Sequence, residues 1–407
     1  TTPGDRGNAV RAAYRAESDN NATTDLRTGG VAAAVHAIEA LGNASSVRAE
    51  GRAARAIVER ARDEIAALAR AKPAELVFTS GGTEAARMAF HAGRTAQGVQ
   101  RLIVSAVEHD AVLASAEASG LPVEILPVDD EGRADLAALE ARLAASDERA
   151  LVALMLANNE TGVVQPVAEA TAIAHDAGAL LLCDAVQAAG KMPLDFAALG
   201  ADMLMLGGHK IGAPMGIGAL IIREGLPFAA LAVGGGQETR RRAGSENVPG
   251  IAGFGAAARA AREGLEAFAA LGHLRDTLEN EVARIAPDAV FFGKGAERLS
   301  NTSYLSAPGL DAETLLMALD LDGIAVSAGA ACSSGKIGRP RVLDAMGVSG
   351  DLSRGAVRVS LGWSSGAEDI DRFVRSWSRV YERTRAKVNA SVTASVATET
   401  PLAAVES

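Results

Sequence analysis

Four short segments of this 407-residue chain hold residue types that could do chemistry together. Thr79-Ser80-Gly81-Gly82-Thr83-Glu84 comes directly after a short apolar run and directly before a helical pattern. Small residues there let backbone N–H groups approach an anion, the start of a helix favours negative charge, and Thr83 adds a hydroxyl. Taken alone, such a segment is more often an ordinary turn and helix cap. Asp184-Ala185-Val186-Gln187 follows the apolar run 179–183. A carboxylate at a strand's carboxyl end points into the crevice where open α/β sheets bind ligands, or else caps a helix. His209-Lys210 follows the run 203–206 and precedes Gly212, Pro214, Gly216 and Gly218. Lysine prefers the solvated surface, so a lysine set among glycines at a strand end is unusual. An amine withdrawn from water is available to form a Schiff base.

A phosphate cradle, an Asp and a Lys on successive strand ends are the parts that a protein supplies to pyridoxal phosphate. The lysine forms the imine, the carboxylate pairs with the pyridinium nitrogen, and the loop holds the phosphate. Their joint occurrence by chance is far rarer than that of any one of them. The fourth segment, Ser327-Ala328-Gly329-Ala330-Ala331-Cys332-Ser333-Ser334-Gly335, surrounds one cysteine with small residues. Small neighbours give a travelling nucleophile access and mobility. The chain's other cysteine, Cys183, lies within an apolar run and fits a buried spectator. Arg358, in the short strand pattern Gly355-Ala356-Val357-Arg358-Val359-Ser360, suits bidentate capture of a carboxylate, with a surface salt bridge as the plain alternative.

The elements that must position these groups alternate along the chain. Helical periodicity marks 31–41, 52–70, 135–145, 166–177 and 251–271, and short apolar runs mark strands at 75–79, 101–105, 151–156, 179–183, 203–206 and 218–222. Runs of this kind suit strands buried on both faces, and the alternation predicts an α/β fold with a mostly parallel sheet between helices. After about residue 271 the texture changes to a smaller α+β unit, with helices at 274–285, 312–321 and 367–387 and a strand at 299–305. The division expected is an N-terminal arm over 1–18, a large domain over 19–270, a small domain over 271–388 that carries the Cys332 segment, and a disordered tail over 389–407.

Bulk composition agrees with an enzyme-sized globular protein: 48% hydrophobic and 22% charged residues, with a formal net charge of −10. An acidic chain argues against nucleic acid as a direct partner, and Arg240-Arg241-Arg242 reads first as a solvated run. No stretch of about 18 apolar residues is present to span a membrane. Two cysteines make no disulfide framework. A cytoplasmic location is expected.

Taken together, these segments resemble the cysteine desulfurases of the NifS/IscS type, in the class V aminotransferase group of the fold-type I pyridoxal-phosphate enzymes. The resemblance runs from about Asp19 to Phe373 and rests on DNNATT (19–24), TSGGTE (79–84), Glu108-His109-Asp110, NNETGVVQ (158–165), DAVQA (184–188), His209-Lys210, RAGSEN (242–247) and SAGAACSS (327–334). It implies that Lys210 carries pyridoxal 5'-phosphate, with no metal in the site. His109 would stack on the ring and move protons, Asp184 would hold the ring nitrogen, Gln187 the phenolic oxygen, and Asn159 the ring or substrate side. Gly82, Thr83 and His209 would contact the phosphate, and Arg358 the substrate carboxylate. Ser245 takes the place of a threonine that reaches the neighbouring subunit's phosphate, which implies a homodimer. L-cysteine would be the substrate, Cys332 would take its sulfur as a persulfide, and a sulfur-acceptor protein, such as an iron–sulfur scaffold or a tRNA-thiolation protein, would receive it. The chain departs from the family pattern at Gly207, where many relatives have a phosphate-binding Ser. It departs also at Arg48, at Ala86-Arg87 and at Arg339-Pro340-Arg341. A selenocysteine lyase or another carbon–sulfur lyase, and a non-catalytic scaffold of the same fold, are the alternative readings.

Overall fold

The computed structural model describes the backbone of residues 16–40, 42–328 and 340–398, and within them the side chains of residues 18–386. Seven strands form the principal sheet: β1 (Leu76–Thr79), β2 (Arg101–Ser105), β3 (Val123–Leu126), β4 (Ala150–Met155), β5 (Leu180–Asp184), β6 (Met203–Gly207) and β7 (Gly218–Ile222). Their spatial order is β1-β7-β6-β5-β4-β2-β3. β7 runs antiparallel to both of its neighbours, and every other pairing is parallel. β1 therefore points the same way as β6. The segments that follow β1, β2, β4, β5 and β6 all leave the same edge of the sheet, where open α/β folds build ligand sites.

The sequence explains the sheet. β1, β2, β4, β5, β6 and β7 are buried at every position, as strands covered on both faces must be. Apolar clusters fill both sides. One includes Ile103, Val152, Leu181, Leu204 and Ile221; the other includes Leu102, Leu151, Leu182, Met203 and Leu220. Consecutive residues thus alternate between the two helical layers. β3 escapes the periodicity argument because it is an edge strand, and only Leu126 of its four residues is buried.

A second, smaller α+β part follows. β8 (Val290–Phe291), β9 (Thr302–Ser306) and β10 (Val357–Ser360) form an antiparallel sheet in the order β10-β9-β8. Its core gathers Leu278, Leu305, Leu315, Val357, Phe373 and Trp377, with Trp377 stacked on Tyr381 at 5.2 Å. The helical pattern expected over 251–271 is interrupted: helices Val248–Glu263, Leu265–Ala269 and Leu271–Ile285 follow one another, the first break falling at Gly264. The expected disordered tail also needs correction, because the last helix runs from Ala367 to Thr398. Residues 389–398 hold neither Gly nor Pro, so no helix breaker interrupts that stretch. The rest of that tail and most of the expected N-terminal arm lie outside the described residues. Ala16–Glu17 pairs in parallel with Ile324–Ala325.

One glycine sets how closely the site segments pack. Gly218 sits between Thr79 on β1 and Gly207 on β6. A Cβ at this position would lie 2.6 Å from the Leu206 carbonyl oxygen and 2.7 Å from Gly81 Cα, both backbone atoms. Gly218→Ala is therefore expected to destabilise the fold by about 1–3 kcal/mol, read as a lower urea midpoint at unchanged slope.

Candidate active site

A cavity of about 500 Å³ opens at the carboxyl edge of the principal sheet. Gly82, Thr83, His109, Asn159, Asp184, Gln187, His209, Lys210 and Arg358 all line it. Nine of the residues singled out in the sequence, scattered from position 82 to 358, thus share one space. Ser245 is exposed and is not among the lining residues. Cys332 lies outside the described residues, as does Arg339. Ala328, the last described residue before that segment, lines the cavity. Arg341, just after it, donates to the Glu108 carbonyl at 2.6 Å and pairs with Asp110 at 3.0 Å.

The anion end is built by backbone. The helix Gly82–Ala96 begins after Gly81, whose φ of 154° lies in glycine's range, and no side chain caps it. Its first N–H groups are left for a ligand at the positive end of the helix dipole. Glu84 braces the turn by accepting from the Ser80 N–H and from Arg242. Burial opposes ionisation of Glu84, but these bonds outweigh it and hold the carboxyl below its ordinary range. Through Arg242, the loop that carries Ser245 is tied to the cradle. Gly207 is tightly placed: a Cβ there would come 3.1 Å from Val186 Cγ1, so the side chain absent at this departure has little room beside Val186.

At the other end, Asp184 closes β5 and accepts from the Val186 N–H at 2.9 Å. Burial pushes its carboxyl up to about 6, against the pull of that N–H and of Lys210. A buried carboxylate in this condition gains from a cationic partner in the cavity. Glu108 lies deeper, wholly buried; burial and then Asp184 raise its carboxyl well above the ordinary range. His109 caps the helix Asp110–Glu117, its Nδ1 accepting from the Ala111 N–H at 3.1 Å. That bond leaves Nε2 to carry the ring proton when the imidazole is neutral. Burial, followed by Lys210, lowers the His109 pKa, and the same causes bring His209 to about 4. Both rings are therefore neutral at physiological pH.

Lys210 is half-buried in the turn Gly208–Ile211, and its Nζ donates to the carbonyls of Asn21 and Ala22 at 2.7 Å each. Arg358, on β10, is nearly inaccessible, donating to the Asn159 carbonyl at 2.9 Å and to Asp19 Oδ1 at 2.5 Å. It is not a surface salt bridge. Cys183 is buried and free, and burial pushes its thiol well up, which suits a spectator and not a nucleophile.

Sequence reasoning missed Asn21, Lys191 and Glu160 as individual residues. Asn21 and Glu160 stood inside quoted motifs without roles. Lys191, four residues after Gln187, offered only the weak signal of a lysine in an apolar stretch. Glu160 is buried within the fields of Arg358 and Arg341, and burial carries its carboxyl to about 7 against their pull. A carboxyl raised in the folded state stabilises fully below its unfolded value and loses that contribution as pH rises through the folded one. Between about pH 4.5 and 7 the wild type should thus lose roughly 3 kcal/mol relative to Glu160→Gln, seen as a steeper fall of Tm with pH.

Comparison with known proteins agrees with this geometry. The family model described as aminotransferase class-V matches residues 18–373. The cysteine desulfurase of Cereibacter sphaeroides is 42% identical over 375 residues, covering 90% of this chain and 96% of that protein. Cysteine desulfurase 2 of Trichormus variabilis is 41% identical over 373 residues, covering 90% and 93%. Among solved structures, a NifS-like protein from Rickettsia africae superposes with a TM-score of 0.83 at 30% identity, covering 91% of this chain and all of that one. A chain matched this extensively, with nine of its singled-out residues lining one cavity, belongs to the aminotransferase class-V family, among the cysteine desulfurases of the NifS/IscS type.

Proposed function

We propose that this chain removes sulfur from L-cysteine, leaving L-alanine, with pyridoxal phosphate held in the 500 Å³ cavity and Cys332 as the sulfur acceptor. The observation that carries the reading is the convergence of Lys210, Asp184 and the uncapped helix start at Gly82 in that cavity. The donor set fits the cofactor. An uncapped helix N-terminus suits a phosphate, a buried carboxylate raised to about 6 suits a ring N–H cation, and an amine bridging two carbonyls suits a reactive lysine. Gly82, Thr83 and His209 would hold the phosphate, Asp184 the ring nitrogen, Gln187 the phenolic oxygen, and His109 and Asn159 the ring. When bound, the cofactor supplies an electron sink for the carbanion formed at the substrate's Cα.

The chain's own residues divide the remaining work. Lys210 would hold the cofactor and would serve as the base for the substrate's Cα proton. Arg358, already fixed by Asp19 and Asn159, presents its guanidinium to the substrate carboxylate. Neutral His109, with Nδ1 committed to Ala111, handles a proton at Nε2. The Cys332 thiolate takes the substrate's sulfur as a persulfide while L-alanine leaves, so one C–S bond breaks as one S–S bond forms. An acceptor protein then receives the sulfur. A second copy of the chain contributes Ser245 to the phosphate, which accounts for a residue of the RAGSEN motif lying outside the single-chain cavity. The division into a large domain over 19–270 and a small domain over 271–388 belongs to the same proposal.

The test is release of sulfide and alanine from L-cysteine under excess reductant. Wild type should make the two products in equal amounts, and Cys332→Ser and Lys210→Ala should each lose turnover by at least 10²-fold. Full turnover by Cys332→Ser would move the reading to a lyase that frees sulfide directly.

A further inference from the structure

Lys191 is nearly inaccessible, yet it does not line the cavity. Its Nζ lies 2.6 Å from Gln187 Oε1 and 2.6 Å from Asn21 Oδ1. Gln187 in turn donates from Nε2 to the Asn21 carbonyl at 2.9 Å, the same oxygen that accepts from Lys210 at 2.7 Å. These four residues form one buried cluster against the cavity wall that Gln187 and Lys210 share.

Hydrogen-bond inventory fixes what Gln187 can offer. A primary amide has one acceptor oxygen and two N–H donors, whereas a protonated lysine only donates. Lys191 occupies the Gln187 oxygen, and the Asn21 carbonyl occupies one N–H. Flipping the amide would set donor against donor at Lys191 and acceptor against acceptor at Asn21. The remaining N–H is left for the cavity. Two donors suffice for both Lys191 contacts, so the arrangement holds whether the amine is charged or neutral. Asn21 is held independently, with Nδ2 donating to Thr302 Oγ1 at 2.9 Å and to the Asn159 carbonyl at 3.2 Å, and Oδ1 accepting from Asn301 at 3.2 Å. Lys191 therefore pins Gln187 to a fixed frame.

We propose that Lys191 is a positioning residue, which locks the Gln187 amide so that it presents a donor, and never an acceptor, to an oxygen of the bound cofactor. The proposal rests on the pyridoxal-phosphate reading of the cavity. A donor held on the cofactor's phenolic oxygen draws negative charge away from the neighbouring imine proton. Without it, that proton leaves at higher pH. The charged and titratable groups around the cluster are Lys210, Arg358, Asp184, His109, His209 and Asp19, and the variants leave all six in place.

The experiment is a pH titration of the visible absorption of the purified, cofactor-loaded protein. Lys191→Met should raise the midpoint by about one pH unit, the worth of one hydrogen bond to a charged group. Gln187→Leu should raise it similarly, and the double variant no further, because both remove the same donor. Lys191→Gln, which keeps a polar group in the pocket but cannot reach both oxygens, carries the same expectation if Lys191→Met does not fold. Midpoints equal to wild type, or shifts that add in the double variant, overturn the role of Lys191 while leaving the cofactor reading intact. A wild type that takes up no cofactor and shows no visible band overturns both.

Discussion

The site depends on one buried asparagine. Asn21 is 1% exposed and comes from a segment near the start of the chain, yet its backbone carbonyl accepts from both Lys210 and Gln187. Its side chain accepts from Lys191 and Asn301 and donates to Thr302 and to the Asn159 carbonyl. The partners come from the loops after β4, β5 and β6 of the principal sheet and from Asn301 and Thr302 at the start of β9 in the small sheet. A buried amide that satisfies every donor and acceptor is rigid, because each lost bond would strand a polar group away from water. The position of the Lys210 amine relative to the small sheet is thus set by hydrogen bonds and not by packing alone.

The second constraint is charge out of water. Asp184, Glu108 and Glu160 are all buried near the cavity, and all three carboxyls are raised by that burial. Glu108 lies behind Asp184, and each carboxyl disfavours ionisation of the other, so burial and like charge act together to push Glu108 up. Glu160, its carboxyl raised to about 7, lies within the field of Arg358, whose guanidinium is paired with Asp19. His109 and His209, both lowered, add no competing cation beside Lys210. Such opposed shifts in one crevice are characteristic of catalytic sites.

The C-terminal part carries two of the described contacts with the chemistry. β10 brings Arg358 to the cavity, and the Ser327–Arg358 backbone bridge holds Ser327 and Ala328 at the rim. Arg341, which departs from the family's usual residues, grips the Glu108 carbonyl and Asp110 around His109. The segment bearing Cys332 is thus preceded by residues bridged to β10 of the small sheet and followed by Arg341, which is fastened to the loop after β2 of the principal sheet.

The sequence by itself determined the fold class and the polar motifs that stand at the strand ends. Strands buried on both faces are written as unbroken apolar runs, and chemistry confined to strand ends is written as short polar motifs directly after them, so Thr79–Glu84, Asp184–Gln187 and His209-Lys210 were legible in order. Edge strand β3 was not, because half-exposed residues carry no such run, and neither was the interruption at Gly264 inside a helical pattern. Only the tertiary structure decided that these motifs meet, that Arg358 is buried against Asp19, and that Lys191 and Asn21 form the frame behind Gln187. The Lys191–Asn21 and Arg358–Asp19 bonds join residues 170 and 339 positions apart, and no local pattern of residue types encodes a partner at that distance.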